Sequence, residues 1–259
     1  MGLNCGAVKK EKQKMLELKD ITLRLDDGRA VLDGVSVTLQ NRKIYAVTGP
    51  NGSGKSSLAR IIMGLQQPTA GRILLDGQDI TDMDITQRAG LGIGYAFQHP
   101  PRFKGIKVRE LIKLADGSRN KAGICDMLYS VGLCAQEYLE RDADATLSGG
   151  EAKRIEIATV LARRLRLAVF DEPEAGIDLW SFQKLADTFR EMHGKSDTTI
   201  VIISHQERIL ELADDILLIK EGRLAPVPRD IILTSNNSEA NCRCRQSCGK
   251  RGEAHVECA

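Results

Sequence analysis

The stretch Lys43–Leu65, KIYAVTGPNGSGKSSLARIIMGL, constrains the fold of this chain more than any other. KIYAVTG is a continuous apolar run that reads as a buried strand, and KSSLARIIMGL follows with helical spacing. Between them GPNGSGKS fits G-x-x-x-x-G-K-[ST] at every fixed position. A strand, a glycine turn and a helix in that order direct backbone N–H groups and a positive helix end at one point, which makes an anion site. The motif assigns the cradle to Gly49, Pro50, Asn51, Gly52, Ser53, Gly54, Lys55, Ser56 and Ser57. Lys55 places a charge on the β- and γ-phosphates of a nucleotide, and the Ser56 hydroxyl is a ligand for Mg²⁺.

The rest of the chain alternates strands and helices around this unit. LELKDITLRL and VLDGVSVTL alternate apolar and polar residues, as half-buried antiparallel strands do. LRLAVFDE and TTIVIIS are apolar throughout, which suits a parallel sheet covered on both faces. DDILLIKEGRL reads as a late strand with a Glu-Gly turn. Residues from about 106 to 165 look helical, with breaks near Gly117 and Gly132. The expected fold is α/β: a mixed central sheet around the phosphate loop, an antiparallel strand set near the N-terminus, and a helical lobe over about 99–165. The domain is expected over 15–234, after a solvated leader (1–14) and before a polar, Cys-rich tail (235–259).

Composition narrows the partners. Charges nearly cancel at +2, so the sequence offers no field for nucleic acid. No apolar run approaches the ~18 residues that cross a bilayer, so no direct membrane insertion is expected. MGLNCGAVKKEKQK lacks the apolar centre of a signal peptide, and Gly6 stands where an acylation motif wants Ser or Thr. A chain this well supplied with apolar residues does not need disulfides, which places its seven cysteines in a reducing cytoplasm.

Two further stretches carry chemistry. The strand LRLAVFDE ends in Asp171-Glu172, where a carboxylate pair points into the crevice at the carboxyl edge of a sheet. Asp171 suits the Mg²⁺ shell, and Glu172 can orient and deprotonate an attacking water. In LSGGEAKRIEI, Ser148, Gly149 and Gly150 open a helix with bare N–H groups and a hydroxyl, a second anion site. One nucleotide does not need two such sites on one chain, whereas two chains facing head to tail use both.

With these motifs over residues 15–225 the chain resembles the ABC ATPase family. The resemblance implies that ATP is sandwiched between the phosphate loop of one copy and Ser148-Gly149-Gly150 of the other. It also implies roles for Gln98, which touches Mg²⁺ or water, for Asp178 in the loop EAGID, and for His205, which contacts the γ-phosphate. Leu25 stands where the family often stacks adenine on an aromatic ring, implying relaxed base choice. Within the family, SGGEAKRIEI, the run RAGLGIGYAFQHPPRFKGI and SHQERIL resemble the SufC-type ATPases of iron–sulfur cluster assembly. Pro173 and His99 depart from that pattern. The subfamily likeness implies a soluble SufB/SufD-like scaffold as partner; the alternative is the ATP-binding subunit of a membrane transporter. The groove beside Gln98 is where the family receives a partner helix, with Phe103 and Ile106 as apolar anchors and Arg102, Lys104 and Lys107 as a basic edge.

The tail holds Cys242, Cys244, Cys248, His255 and Cys258, ligand types that suit Zn²⁺ or an iron–sulfur cluster. Free thiols on a solvated tail are the competing reading of the same residues.

Overall fold

A computed structural model describes residues 14–116, 121–195 and 197–229. The N-terminal part contains β1 (Lys14–Arg24), β2 (Ala30–Gln40), β3 (Ile44–Thr48), α1 (Lys55–Met63), β4 (Ala70–Leu75), β5 (Gln78–Asp79), α2 (Ile85–Gly90) and β6 (Ile93–Ala96). A helical lobe follows, with α3 (Val108–Asp116), α4 (Lys121–Ser130), α5 (Ala135–Tyr138) and α6 (Gly149–Ala162). The chain then returns through β7 (Leu167–Asp171), α7 (Leu179–Lys195), β8 (Thr199–Ile203), α8 (Glu207–Leu210), β9 (Asp215–Lys220) and β10 (Arg223–Val227).

Two sheets result. The antiparallel one runs β2-β1-β4-β5, and the central one runs β10-β9-β3-β8-β7-β6. Strands β9, β3, β8, β7 and β6 are parallel, while β10 turns back on β9 through Glu221 and Gly222, both at positive φ. Every residue of β3, β7 and β8 is buried, which is why their sequences carry no polar alternation. Alternate side chains still go to opposite cores. Tyr45, Val47, Val169, Val201 and Ile203 face the antiparallel sheet and α1. Ala46, Ala168, Phe170, Ile200 and Ile202 face α6, α7 and the lobe.

The helical expectation over 106–165 holds only in part. The chain between α5 and α6 is irregular and is stitched to the segment before α3. Phe103 N–H donates to Ala143 O (2.7 Å), Ala143 N–H to Ile106 O (2.8 Å) and Val108 N–H to Arg141 O (3.0 Å). The break at Gly132 is real, with φ +77, whereas Gly117 lies outside the described residues. Strands β4, β5 and β6 are short and gave no readable period, so the sequence reading assigned none of them. The expected leader and tail boundaries fall mostly outside the described residues; β1 begins at Lys14.

Arg88 holds the phosphate-loop helix in place, a role that its position at the head of RAGLGIG does not reveal. Its side chain is fully buried. Nη1 donates to Ile61 O (2.5 Å) and Ile62 O (2.9 Å), Nη2 to Thr81 O (2.7 Å) and Nε to Met83 O (3.0 Å). The first two carbonyls belong to the last turn of α1, where helical partners run out and the dipole favours a cation. Burial pulls the guanidinium pKa down, against the pull of Asp82, yet it stays charged. Replacing Arg88 by Met leaves several buried carbonyls without donors, and the expected loss is about 3 kcal/mol or more. The urea midpoint of the Arg88→Met variant against wild type measures it; an unchanged midpoint removes Arg88 from this role.

Candidate functional site

The central sheet ends in a cavity of about 450 Å³ lined by the phosphate loop, Gln98, Glu172 and His205. β3 stops at Thr48, and the loop enters α1 through Gly54, its N-cap at φ +102. The loop fits only because two positions lack a Cβ. At Gly49 (φ +148) a Cβ would stand 2.1 Å from the Ile219 carbonyl oxygen, and at Gly54 it would stand 2.8 Å from the Val31 carbonyl oxygen. Gly54 offers no side-chain cap, so the first N–H groups of α1 are left for a ligand. Lys55 is buried in the middle of the loop, with Nζ donating to Gly49 O (2.8 Å) and Pro50 O (2.9 Å). Burial pulls its pKa down, while Glu172 and Asp171 pull it back up.

The carboxylates stand opposite. Asp171 ends β7 and is buried; Oδ1 accepts from the Ser56 hydroxyl (3.2 Å) and Oδ2 from the Tyr95 hydroxyl (2.9 Å). Burial, together with Asp171, pushes the Tyr95 phenol pKa far up, so Tyr95 remains a donor. Glu172 takes a left-handed backbone, φ +46, costly for a residue with a side chain. It is held there by its N–H, which donates to Ile203 O (3.0 Å). Its Oε2 accepts from Gln98 Nε2 at 2.8 Å. Ser56, Asp171 and Gln98 present hard oxygen atoms, the set that Mg²⁺ prefers, and the buried Ser53 hydroxyl has no hydrogen-bond partner among the described residues. The donor set fits the ion and its phosphates.

Ser148, Gly149 and Gly150 do not line this cavity. Ser148 is the N-cap of α6 and forms a capping box with Glu151: Glu151 N–H donates to Ser148 Oγ (3.2 Å), and Ser148 N–H donates to Glu151 Oε2 (2.7 Å). The expected row of bare N–H groups is thus shortened, and the free ones belong to the two glycines. Hydrogen bonds from the Tyr138 hydroxyl and the Ser148 N–H hold the Glu151 carboxyl down to about 2. The loop carrying Asp178 packs on this turn, so closely that a Cβ on Gly150 would stand 2.3 Å from Gly176 O. Asp178 itself accepts from Ser181 N–H (3.0 Å) at the start of α7.

Other expected positions are corrected. Leu25 sits in the turn after β1 and does not line the cavity; the apolar side chain of the first hairpin that does is Val31. Arg102 is turned inward, donating to Asp144 O (3.0 Å) and Leu147 O (2.9 Å), and Lys107 pairs with Glu140 (2.8 Å). Ile106 is half-buried, and Phe103 lines an apolar groove of about 480 Å³ with Leu114. The tail cysteines Cys242, Cys244, Cys248 and Cys258, with His255, lie outside the described residues. Among the described residues no group of three His, Cys, Asp or Glu side chains could hold a metal ion, and no helix is long and apolar enough to cross a membrane.

The profile of the ABC transporter family matches residues 32–175, more than half of the chain. The chain belongs to this family. It is an ABC ATPase domain. An uncharacterized ABC transporter ATP-binding protein of Methanocaldococcus jannaschii, MJ0035, is 38% identical over 86% of this chain and 90% of its own length. The sulfate/thiosulfate import ATP-binding protein CysA of Bordetella bronchiseptica is 34% identical over 83% of this chain and 63% of its own. The fold matches the dimeric post-hydrolysis structure of the ATP-binding cassette MJ0796 bound to ADP and Pi, with TM-score 0.74 and 23% identity, covering 83% of this chain and 99% of that one. These relatives carry transporter names, and nothing in them is specific to the SufC-type ATPases.

Lys153 and Glu156 lie in the run SGGEAKRIEI, and their sequence alone gives them no role. In the ABC domain they form a buried pair (3.5 Å) that grips the strand before Gln98. Glu156 Oε1 accepts from Phe97 N–H (2.8 Å), while Lys153 Nζ donates to Phe97 O and to Asp171 O (3.1 Å). Two opposite charges three residues apart on one helix were the available signal. Burial pushes the Glu156 carboxyl up to about 7, against the pull of Lys153 and Phe97 N–H. A carboxyl whose folded pKa exceeds its unfolded value of 4.5 binds more protons when folded, so its contribution to stability falls as pH rises from 4.5 to about 7. Thermal unfolding across that window is expected to show a steeper decline for wild type than for Glu156→Gln. Parallel curves contradict the assignment.

Proposed function

We propose that this chain is an ATP-hydrolysing motor subunit that pairs head to tail with a second copy on binding ATP and drives a partner protein. In this reading Gly49–Ser57 wrap the phosphates, and Lys55 neutralises the β- and γ-oxygens. Ser56 and Asp171 hold Mg²⁺, with Gln98 beside them; the ion supplies charge stabilisation on the transferred phosphoryl group. Glu172 orients and deprotonates the attacking water, with Gln98 setting its rotamer at 2.8 Å, and His205 contacts the γ-phosphate. Ser148, Gly149 and Gly150 cap the nucleotide of the other copy, and Asp178 lies along the seam. What supports the pairing is the division of the parts: Ser148 and Gly149 are exposed and outside the cavity that holds the phosphate loop. The dimeric state of the MJ0796 cassette supports it too.

Glu172→Gln keeps the shape of the site and removes the base. Expected outcomes are ATP binding at wild-type strength, turnover lowered by roughly 10²- to 10⁴-fold, and a dimer that appears only with ATP. Light scattering and phosphate release measure both. Wild-type turnover in this variant sinks the assignment of Glu172, and a monomer at saturating ATP sinks the pairing.

The partner favoured by the relatives is a transporter subunit embedded in a membrane. The groove beside the glutamine loop would seat it, because Phe103 (36% exposed) and Leu114 (74% exposed) line an apolar recess that is otherwise unpartnered among the described residues. A second reading, a SufB/SufD-like iron–sulfur assembly scaffold with the protein in the cytoplasm, rests on the likeness of SGGEAKRIEI, RAGLGIGYAFQHPPRFKGI and SHQERIL to the SufC-type ATPases. The SGGEAKRIEI run builds the buried Lys153–Glu156 grip. Copurification from native extract separates the two: a detergent-dependent membrane protein supports the first, and a soluble partner with iron and sulfide supports the second. In either case Phe103→Ala with Leu114→Ala is expected to lose the partner while ATP binding by the isolated chain survives. Retention of the partner at wild-type level moves the interface elsewhere.

A further inference from the structure

We infer that Glu174 is a positioning residue for hydrolysis: through the Ser204 hydroxyl it holds the turn that carries His205. The inference rests on the role proposed for His205. The imidazole lies on the cavity wall, exposed, and among the described residues no hydrogen bond holds the ring. Its position therefore depends on the backbone of residues 204–206. That backbone is fixed in two places. Ser204 N–H donates to Val47 O (3.1 Å), which ties the turn to the end of β3. The Ser204 hydroxyl, completely buried, accepts from Gln206 N–H (3.0 Å) and donates to Glu174 Oε1 in a short hydrogen bond. Ser204 and Gln206 flank His205, so the line from Gln206 N–H through the hydroxyl to the carboxylate closes the turn around it.

The carboxylate is an odd choice for packing alone. Its second oxygen, Oε2, is buried with no hydrogen-bond partner among the described residues, which an apolar side chain would avoid. Burial raises the Glu174 pKa; the Ser204 hydroxyl and His205 lower it, and Glu172 raises it further. Lys153 is the other charge that feels it. Glu174 also lies in the loop between Glu172 and Asp178, and its backbone carbonyl accepts from Ile177 N–H (3.1 Å). That backbone bond survives any side-chain change, so a purely structural role for the loop predicts little effect of truncation at Glu174. The hydroxyl tie predicts the opposite.

The test uses the full chain with saturating ATP and Mg²⁺. Glu174→Ala and Ser204→Ala are each expected to lower kcat by about 10- to 100-fold with the KM for ATP unchanged, the size of loss that a small misplacement of a reacting group produces. The double variant should lose no more than either single one, because both changes cut the same tie. Glu174→Gln keeps an acceptor for the hydroxyl and should recover most of kcat. The chain has four histidines, so the His205 ring can be assigned by NMR with His205→Ala. Its signals should shift or broaden in Glu174→Ala while those of His193 stay. Unchanged kcat, additive losses, or a static His205 spectrum each overturn the inference. Failure of the underlying reading looks different: His205→Ala then turns over at the wild-type rate. Should Glu174→Ala fail to fold, Ser204→Ala and Glu174→Gln carry the same comparison.

Discussion

Three buried strands end at one level, and the site depends on that. β3, β7 and β8 are adjacent and parallel, and Asp171 stands level with Ile203 in the register. Two backbone hydrogen bonds extend the alignment one residue past the sheet: Glu172 N–H to Ile203 O (3.0 Å) and Ser204 N–H to Val47 O (3.1 Å). Thr48, Glu172 and Ser204 are thus brought side by side, although they are far apart in sequence. The strands can lie so close to one another because both faces of the sheet are covered by apolar side chains. The left-handed backbone at Glu172 is the local cost of aiming a carboxylate out of a strand end, and the packed sheet keeps it there.

Around this edge the charged residues divide into two kinds. Lys55, Glu172 and His205 face the cavity. Arg88, Lys153, Glu156 and Glu174 grip backbone or hydroxyl groups within the protein: Arg88 the end of α1, the Lys153–Glu156 pair the strand before Gln98, and Glu174 the turn at Ser204. Each buried charge is expensive unless it is hydrogen-bonded, and each of these is bonded at a point where a functional segment leaves regular structure. The helical lobe shares the buried core on one face of the central sheet. It presents an exposed Ser148-Gly149 turn and an apolar groove lined by Phe103 and Leu114.

Much of this was legible because motif chemistry is local. The phosphate loop is set by a steric rule, since only glycine fits beside Ile219 O and Val31 O. The buried strands were legible as unbroken apolar runs, and the start of α6 as a Ser-Gly-Gly turn before a helical run. Beyond the reach of pattern were short strands such as β6, the irregular chain between α5 and α6, and every partner that arrives from a distant part of the sequence. Arg88 looks like any surface arginine until α1 is placed against it. Leu25 and Ile106 are placed by position in a motif, whereas the residues that line the cavity and the groove are Val31 and Leu114.

By itself, then, the sequence determined which elements exist and what chemistry the loops carry: an α/β sheet, a phosphate cradle, a carboxylate pair and a second anion turn, with membership of the ABC family. These follow from residue type and spacing within short windows. Tertiary structure alone decided that the Ser148 turn stands apart from its own phosphate loop, that Tyr95 and Ser56 meet on Asp171, and that Glu174 reaches Ser204. The physical reason is range: hydrogen bonds and packing between distant segments depend on the register of the sheet and the docking of the lobe, which no local pattern encodes.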